Sequence, residues 1–441
     1  MPRKCSRIRR ATEKVHLSRT KKRKNVFNPK TVETDKSSFD PSAKKFKMQK
    51  EILVPRDSSV EYRILNFITV FAALSNYVKC KSCDGEVKFE TASPRGLGFK
   101  IIILCDKCED RAINSSPFVK HSYEINRRFI FVMRVLGIGL KGAAKFCGLM
   151  DMPVFLTQKI YDLIIDNIYS CVKVATEKLF EKACAEEKDA TSENQVDERS
   201  EELTVASDGT WKKRGFSSLH GVTSLIGYYT GKIIDIVVKS SYCKQCEPWK
   251  NKNNTEEYSK WYDDHKDICS ANYNGSSGKM DVDSVIEMFR RSMEKYNVRY
   301  RNYIGDGDSE TYSGILKAAS DGEVEVVKLL ERCVGNSTQN INERYNQLIW
   351  KMTPKIIPCG SKVVEVVAHI AAGMFNEGAI SLLYFMNAMG ISIGPAAHTY
   401  VEKADADRIM ISNSRTHGNT HEGRMARRQS QLDLLEAADV D

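Results

Sequence analysis

Long hydrophobic runs are absent from this sequence of 441 residues. The apolar stretch FIFVMRVLGIGL is interrupted by Arg134 and is shorter than the ~20 apolar residues that a membrane-spanning helix needs. No hydrophobic segment follows Met1, as a secretory signal would require. These absences argue against a membrane-spanning or secreted protein and predict an intracellular, reducing environment. In that environment the 13 cysteines predict thiols and metal sites rather than disulfides.

A net positive charge is absent outside the first 50 residues, although the whole chain carries a net charge of +10. Residues 1–50 hold 17 Lys and Arg and 4 Asp and Glu, so the rest of the chain has a net charge of −3. This segment is also poor in apolar residues, which predicts a disordered basic tail. Its cluster Lys21, Lys22, Arg23 and Lys24 is typical of a nuclear-import or DNA-contacting arm. We therefore expect a nuclear protein, although a merely solvated tail would have the same composition.

Internal repeats are absent too, and the chain divides instead into regions of different composition. We expect a basic disordered tail (1–50), a zinc-ribbon-like region (51–118), a helical region (119–186), an acidic linker (187–202), a core of strands and helices (203–380) and a helical tail (381–441). The acidic stretch has the composition of a solvated linker or of a helix end.

The helical region 119–186 has two interpretations. Its pattern predicts a helix, a turn in LGIGLKG, a short helix, a break at Met152 and Pro153, and a longer helix. This order is compatible with a helix-turn-helix DNA reader. It is equally compatible with a plain helical bundle that bridges two domains.

Two CxxC pairs lie in the zinc-ribbon-like region, Cys80-x2-Cys83 and Cys105-x2-Cys108. The 21 residues between them contain two strand-like runs. Thiolates two residues apart on one tight turn can both reach one tetrahedral ion, so this spacing predicts a structural zinc site. Four unrelated core cysteines are the alternative.

A second candidate zinc site has the pattern Cys243-x2-Cys246 followed by His265-x3-Cys269. The 18 residues between the two pairs are mostly polar, so the loop has little core of its own. A Cys3His zinc site would stabilise it. The alternative is an incidental His and Cys in a polar loop. The remaining six cysteines show no pairing pattern, and we expect them to be buried thiols.

Carboxylates end two predicted strands of the 203–380 region. Asp208 ends the strand LTVASDGTW, Asp306 ends RYRNYIGDGD, and Glu343 lies early in the later helix INERYNQLIW. Three adjacent strands, a helix and a further strand tipped by a carboxylate predict an RNase H-like mixed sheet flanked by helices. Three converging carboxylates can hold two divalent cations that promote phosphodiester cleavage. An ordinary Asp-Gly turn is the alternative.

The residues around Asp208 fit a nucleic-acid substrate. Gly209 follows it and would allow the close approach of backbone and substrate. Lys212, Lys213 and Arg214 come next, and we expect them to contact phosphates.

These motifs resemble those of the Mutator-like transposase family. The resemblance rests on SDGTWKKRGFSSLHGV, YCKQC, NGSSGKM, YIGDGDSETY and TQNINERYNQLIW, with INRRFIFVMRVLGIG and AKFCGLMDM upstream. It implies a DDE transposase with an RNase H-like core that cleaves and joins transposon-end DNA with Mg²⁺ or Mn²⁺. Asp208, Asp306 and Glu343 match the family's three acids, and Asp308 is the rival for the second place.

One departure from the family pattern concerns the interval before the glutamate. The family usually carries a long helical insertion there, whereas only 36 residues separate Asp306 from Glu343. An internally deleted element copy or a mis-spliced product would have this spacing. The alternative function is therefore a transposase-derived, zinc-containing DNA-binding protein without catalysis. A zinc-ribbon nuclear factor is a third hypothesis, and the sequence leaves a homo-oligomer open.

Overall fold

The structure is a computed structural model that describes residues 52–119, 122–153, 156–194, 202–213, 218–252, 254–304, 313–314 and 337–419, with isolated positions up to Gln429. Several residues predicted to be functional lie outside this part, namely Lys21, Lys22, Arg23, Lys24, Arg214, Asp306 and Asp308.

The helices are α1 (Phe67–Ser75), α2 (Glu124–Val135), α3 (Leu140–Leu149), α4 (Gln158–Asn194), α5 (Glu256–His265), α6 (Lys279–Tyr296), α7 (Ser337–Met352), α8 (Ser361–Glu377), α9 (Ile380–Ala388) and α10 (Pro395–Asn419). The strands are β1 (Val87–Arg95), β2 (Gly98–Cys105), β3 (Arg111–Asn114), β4 (Phe118–Val119), β5 (Ser122–Tyr123), β6 (Glu202–Trp211), β7 (His220–Gly227), β8 (Ile233–Ser240) and β9 (Arg299–Ile304).

The first CxxC pairs are joined by a small antiparallel sheet in the order β1-β2-β3. Val87, at the start of β1, lies opposite Cys105, at the end of β2. The helix α1 packs on this sheet through aromatic contacts, and the ring of its Phe71 lies 5.1 Å from that of Phe89. The hairpin therefore brings the two ends that carry the cysteine pairs to the same place.

The larger sheet has four strands in the order β8-β7-β6-β9. The strands β8, β7 and β6 are antiparallel neighbours, whereas β9 pairs with β6 in parallel. In that parallel pair Ala206 lies opposite Ile304. A parallel neighbour needs a crossover connection, and α6 lies in the connection between β8 and β9. The described chain is thus a mixed α/β structure with the predicted sequence of strands.

Both faces of the larger sheet are covered by helices. Leu203 and Leu225 belong to a buried cluster that also contains Met288 of α6. Val222 and Ile226 point the other way and join a larger cluster formed with helices that include α4, α7 and α8. Because both faces are covered, every residue of β7 is buried.

The larger cluster extends from Ile130 in α2 to Val401 in α10. Parts of the regions predicted separately as 119–186, 203–380 and 381–441 therefore share one apolar core. The helix α4 buries residues from Tyr161 to Thr191 along its length. This packing matches the helical-bundle alternative for the 119–186 region, and DNA reading by that region stays a prediction.

The described first part of the predicted acidic linker 187–202 follows the alternative of a helix end rather than that of a solvated linker. The helix α4 continues to Asn194, and Glu187 is fully buried rather than solvated. Its carboxylate accepts backbone N–H bonds from Tyr229 and Thr230, each at 2.8 Å. These bonds compensate the buried charge and allow the helix to pack beyond its expected end.

Within the described residues no helix combines the length and apolarity of a membrane span.

Candidate metal centres and acidic site

The structure brings the first set of four cysteines together. The Sγ atoms of Cys80 and Cys108 lie 3.7 Å apart, and those of Cys83 and Cys105 lie 3.3 Å apart. Sulfurs on a tetrahedral zinc ion with Zn–S bonds of about 2.3 Å are separated by about 3.8 Å. Backbone N–H groups of Ser82 and Cys83 lower the pKa of Cys80 to about 6, which favours the thiolate that binds metal. This convergence fits the predicted zinc site.

The second predicted set converges as well. His265 Nε2 lies 3.4 Å from Cys243 Sγ and 3.3 Å from Cys246 Sγ, and Cys269 Sγ lies 3.5 Å from Cys246 Sγ. Burial raises the pKa of Cys243, but backbone N–H groups, led by that of Ser270, outweigh this effect and lower the pKa to about 6. The four donors and their spacing therefore also suit a zinc ion.

Aromatic rings hold the imidazole of this second site in place. The ring of Trp261 stacks on that of His265 with centroids 4.5 Å apart, and Trp249 stacks on Trp261 at 5.1 Å. Because His265 is the last residue of α5, the stacked helix residue Trp261 lies one turn before it on the same face. The stack fixes the ring orientation that a metal-binding nitrogen needs.

We expect elemental analysis of the purified chain to find two zinc ions per molecule. The reason is that each cluster offers four soft donors within 4.8 Å of one another. In Cys80→Ser the content should fall to one ion, whereas Cys171→Ser, which changes a partly buried cysteine outside both clusters, should keep two. A content near zero in the unmodified chain would rule out both sites.

Asp208 lies on the face of β6 that is turned toward α7. Side chains alternate along a strand, so Asp208 and Thr210 share one face. Asn346 Nδ2 donates to Asp208 Oδ2 at 2.6 Å, and Trp350 Nε1 donates to Thr210 Oγ1 at 2.8 Å. The two bonds fasten α7 along the second half of β6.

Glu343 lies one turn before Asn346 on α7. Residues three apart on a helix are neighbours on one face, so the helix presents Glu343 beside the contact between Asn346 and Asp208. Glu343 is exposed to solvent. Its carboxylate can therefore be reached by an ion or a substrate from outside.

The second predicted acid, Asp306, lies outside the described residues, as does its rival Asp308. The described part of β9 ends at Ile304, which is paired in parallel with Ala206. In the sequence Asp306 follows Ile304 by two positions, and Asp208 follows Ala206 by two positions. The structure therefore places Asp208 against α7, the helix that carries Glu343, and the convergence of the three acids stays a prediction.

The cations after Asp208 differ from one another in their surroundings. Lys212 was expected to contact phosphates, but its side chain is buried, and Nζ donates to Cys359 Sγ at 2.7 Å. It shares the inward face of β6 with Thr210, and packing there withdraws it from the surface. Lys213 is exposed, as a phosphate contact requires, and Arg214 lies outside the described residues.

Gly209 is close to a helix rather than open to a substrate. A Cβ atom built there would lie 2.6 Å from Oδ1 of Asp281 in the first turn of α6. Gly209 faces the opposite side of β6 from Asp208, so the expected approach of substrate at this glycine is replaced by the approach of α6.

Two residues that organise the acidic site were missed in the sequence, Asn346 and Trp350. Their signal was the spacing of three and seven residues after Glu343, which places all three on one helical face. Without knowledge of the strand that faces this helix, the spacing has no evident meaning.

The family comparison covers both cysteine clusters and the acidic site. The model of the Mutator-like transposase family matches residues 61–367, which is more than half of the chain. No curated protein and no solved structure gave a match. The matched span includes Asp208 and Glu343. The chain therefore belongs to the Mutator-like transposase family.

Proposed function

We propose that this chain is a DDE transposase that cleaves transposon-end DNA and joins it to a new site. Asp208, Asp306 and Glu343 would hold two divalent cations, for which Mg²⁺ and Mn²⁺ are suited by their preference for carboxylate oxygens. Such a pair of ions polarises the attacking and leaving oxygens of a phosphodiester. Family membership supports the transposase function and implies DNA as the partner.

The strand order supports an RNase H-like core for this activity. The elements β6, β7, β8, α6 and β9 follow one another in the chain order expected for that fold, and β6 pairs with β9 in parallel. Parallel neighbours place their carboxyl ends at one edge of the sheet, where sites in such sheets commonly form. We therefore assign the second acid to Asp306, directly after β9.

The observation that carries this proposal is the packing of α7 on β6. The two hydrogen bonds from Asn346 and Trp350 hold the helix at the level of Asp208 and Thr210. Glu343 consequently extends from the same helical face one turn away.

Within this site the residues of the chain have separate roles. Asp208 and Glu343 would hold the ions that act on the scissile phosphate. Asn346 orients the Asp208 carboxylate by donating a hydrogen bond to its Oδ2 atom. Exposed Lys213 is placed five residues after Asp208 and can meet the DNA backbone.

We also propose a nuclear location and a contribution of the basic tail to DNA binding. Both rest on Lys21, Lys22, Arg23 and Lys24 in the sequence. Zinc ions bound at the two cysteine clusters would stabilise the segments of the chain that contain these clusters. Self-association is a further proposal, because transposon ends come in pairs.

A second candidate function is DNA binding without catalysis. It is favoured by the short interval of 36 residues between Asp306 and Glu343, which lacks the helical insertion usual in the family. Under this alternative the fold and the zinc sites persist while the chain is a defective copy of an active element.

The two candidates are separated by incubating the full chain with labelled transposon-end DNA, with and without Mg²⁺ or Mn²⁺. Nicked or joined products that need the metal support the transposase. Salt-sensitive DNA binding without any product, at protein concentrations that saturate the DNA, supports the binding protein. Absence of both binding and products contradicts both candidates.

Replacing Asn346 by Ala should lower metal-dependent cleavage by about 10- to 100-fold, because residues that orient metal ligands through hydrogen bonds have effects of this size. The midpoint for activation by Mn²⁺ should shift to higher concentration. Gln347→Ala is a matched control, since Gln347 is the exposed neighbour on the same helix. Equal activation midpoints in the two variants would contradict the positioning role of Asn346.

A further inference from the structure

Lys212 and Cys359 lie in direct contact at the far end of β6, outside the acidic site. Lys212 Nζ is 2.7 Å from Cys359 Sγ, and the lysine is only 8% exposed. Cys359 is partly buried and directly precedes Gly360, the residue that caps the start of α8. The contact therefore joins the last residues of β6 to the segment between α7 and α8.

The surroundings of this amine are unusual for a buried lysine. Buried lysines are normally paired with a carboxylate. Among the described residues no carboxylate lies within ion-pair distance of Lys212 Nζ. The ammonium group donates instead to the sulfur of Cys359. His220 is also buried here, and burial followed by the charge of Lys212 lowers the pKa of His220 to about 4. The imidazole is thus neutral at neutral pH and adds no second positive charge beside Lys212.

We propose that Lys212 and Cys359 form a modification site at which hydrogen peroxide produces a covalent sulfur–nitrogen cross-link. In the first step Cys359 Sγ takes one oxygen atom from the peroxide as its O–O bond breaks. The sulfur is oxidised to a sulfenic acid, and the other peroxide oxygen is reduced and leaves as water.

The second step is a condensation, which sulfenic acids undergo with nearby nitrogen nucleophiles. Lys212 Nζ first releases its extra proton to solvent, and its lone pair then attacks the sulfur. The S–N bond forms as the S–O bond breaks, and the departing hydroxide leaves as water with a proton from the nitrogen. In total one peroxide is consumed, two waters are released and the chain loses two hydrogen atoms.

The cross-link would fasten the end of β6 to the start of α8. Lys212 is four residues after Asp208 and directly follows β6, and its backbone N–H donates to the carbonyl oxygen of His220 at the start of β7. Oxidation would therefore stiffen the support of the acidic site, and a thiol reductant would reverse the link. The inference does not depend on the proposed transposase function, because it needs only the contact between the two side chains.

The test is peptide mapping by mass spectrometry of the full chain after brief treatment with hydrogen peroxide, at amounts that leave the zinc content unchanged. We expect a linked pair of peptides that contain Lys212 and Cys359, lighter by two hydrogen atoms and separated again by dithiothreitol. Cys359→Ser should remove the linked pair, whereas Lys213→Met, a change in the exposed neighbour, should retain it.

A second variant tests the role of the amine. In Lys212→Met the sulfenic acid has no nitrogen to attack it, so dimedone should label Cys359 in this variant and label it poorly in the unmodified chain. The proposal is overturned if peroxide leaves Cys359 as a free thiol in the unmodified chain. It is also overturned if Cys359 is oxidised there without any link to Lys212. Because both of these outcomes are read in the unmodified protein, a folding defect in the variants cannot obscure them.

Discussion

Replacing Asp208 by Asn should abolish metal-dependent DNA cleavage by this chain. The amide keeps the size and the contact with Asn346 but removes the negative charge that holds a divalent ion. A metal ion contributes several kcal/mol of transition-state stabilisation, and a loss of about 4 kcal/mol lowers the rate about a thousand-fold. The measurement is the rate of nicking of labelled transposon-end DNA in Mg²⁺ and in Mn²⁺.

Asp189→Asn serves as the matched control for this experiment, because Asp189 is an exposed acid on α4. It should cleave at the rate of the unmodified chain. DNA binding at equilibrium should be the same in both variants, since the acids act on the chemical step rather than on the phosphate contacts. Nicking by the Asp208 variant at the unmodified rate would remove Asp208 from the catalytic assignment.

The second large effect concerns the Cys3His cluster. Cys246→Ser should release one zinc ion and unfold the loop between Cys243 and Cys269. Between Glu247 and Asp264 the described residues are exposed or partly buried, so the loop has no apolar core that could replace the metal. Structural zinc sites supply about 10–16 kcal/mol of binding free energy, most of which would be lost. Limited proteolysis and zinc content measure the two consequences together.

The comparison is with Cys171→Ser, which should keep both ions and resist the protease as the unmodified chain does. The first cluster provides an internal reference, because Cys246→Ser should leave its zinc in place. A Cys246 variant that keeps two zinc ions, or that loses one without faster cleavage of the loop, would contradict a structural role for this site.

The cysteine clusters were the most predictable part of the site. Their ligands come in pairs that are close in sequence, and metal geometry restricts the spacing within each pair. The predicted strands of the larger sheet could likewise be recognised from their apolar runs. The structure brings all eight predicted donors into two groups, as expected from the spacing alone.

Burial was the property that local sequence could not provide. Glu187 and Lys212 both carry charge in polar stretches, which favoured a solvated linker and a surface cation. Both are buried because residues distant in sequence satisfy them, the backbone of Tyr229 and Thr230 in one case and Cys359 in the other. Such partners depend on tertiary packing and leave no local pattern.

The acidic site was less predictable from the sequence than the cysteine clusters and more predictable than the buried charges. Glu343 and Asp208 could be chosen by their positions on a helix and near the end of a strand, although β6 continues beyond Asp208 to Trp211. The contribution of Asn346 depends on the rotation of α7 relative to β6, which only the packing of the two elements determines. The same packing explains Gly209, whose missing side chain makes room for α6 rather than for DNA.

The most direct test of the acidic site is a crystal structure of the full chain soaked with Mn²⁺, in which the ions are located by their anomalous scattering. The account predicts two ions about 4 Å apart, bound by carboxylate oxygens of Asp208, Asp306 and Glu343. It is contradicted if Mn²⁺ binds elsewhere while these carboxylates remain without an ion, or if Glu343 points away from Asp208.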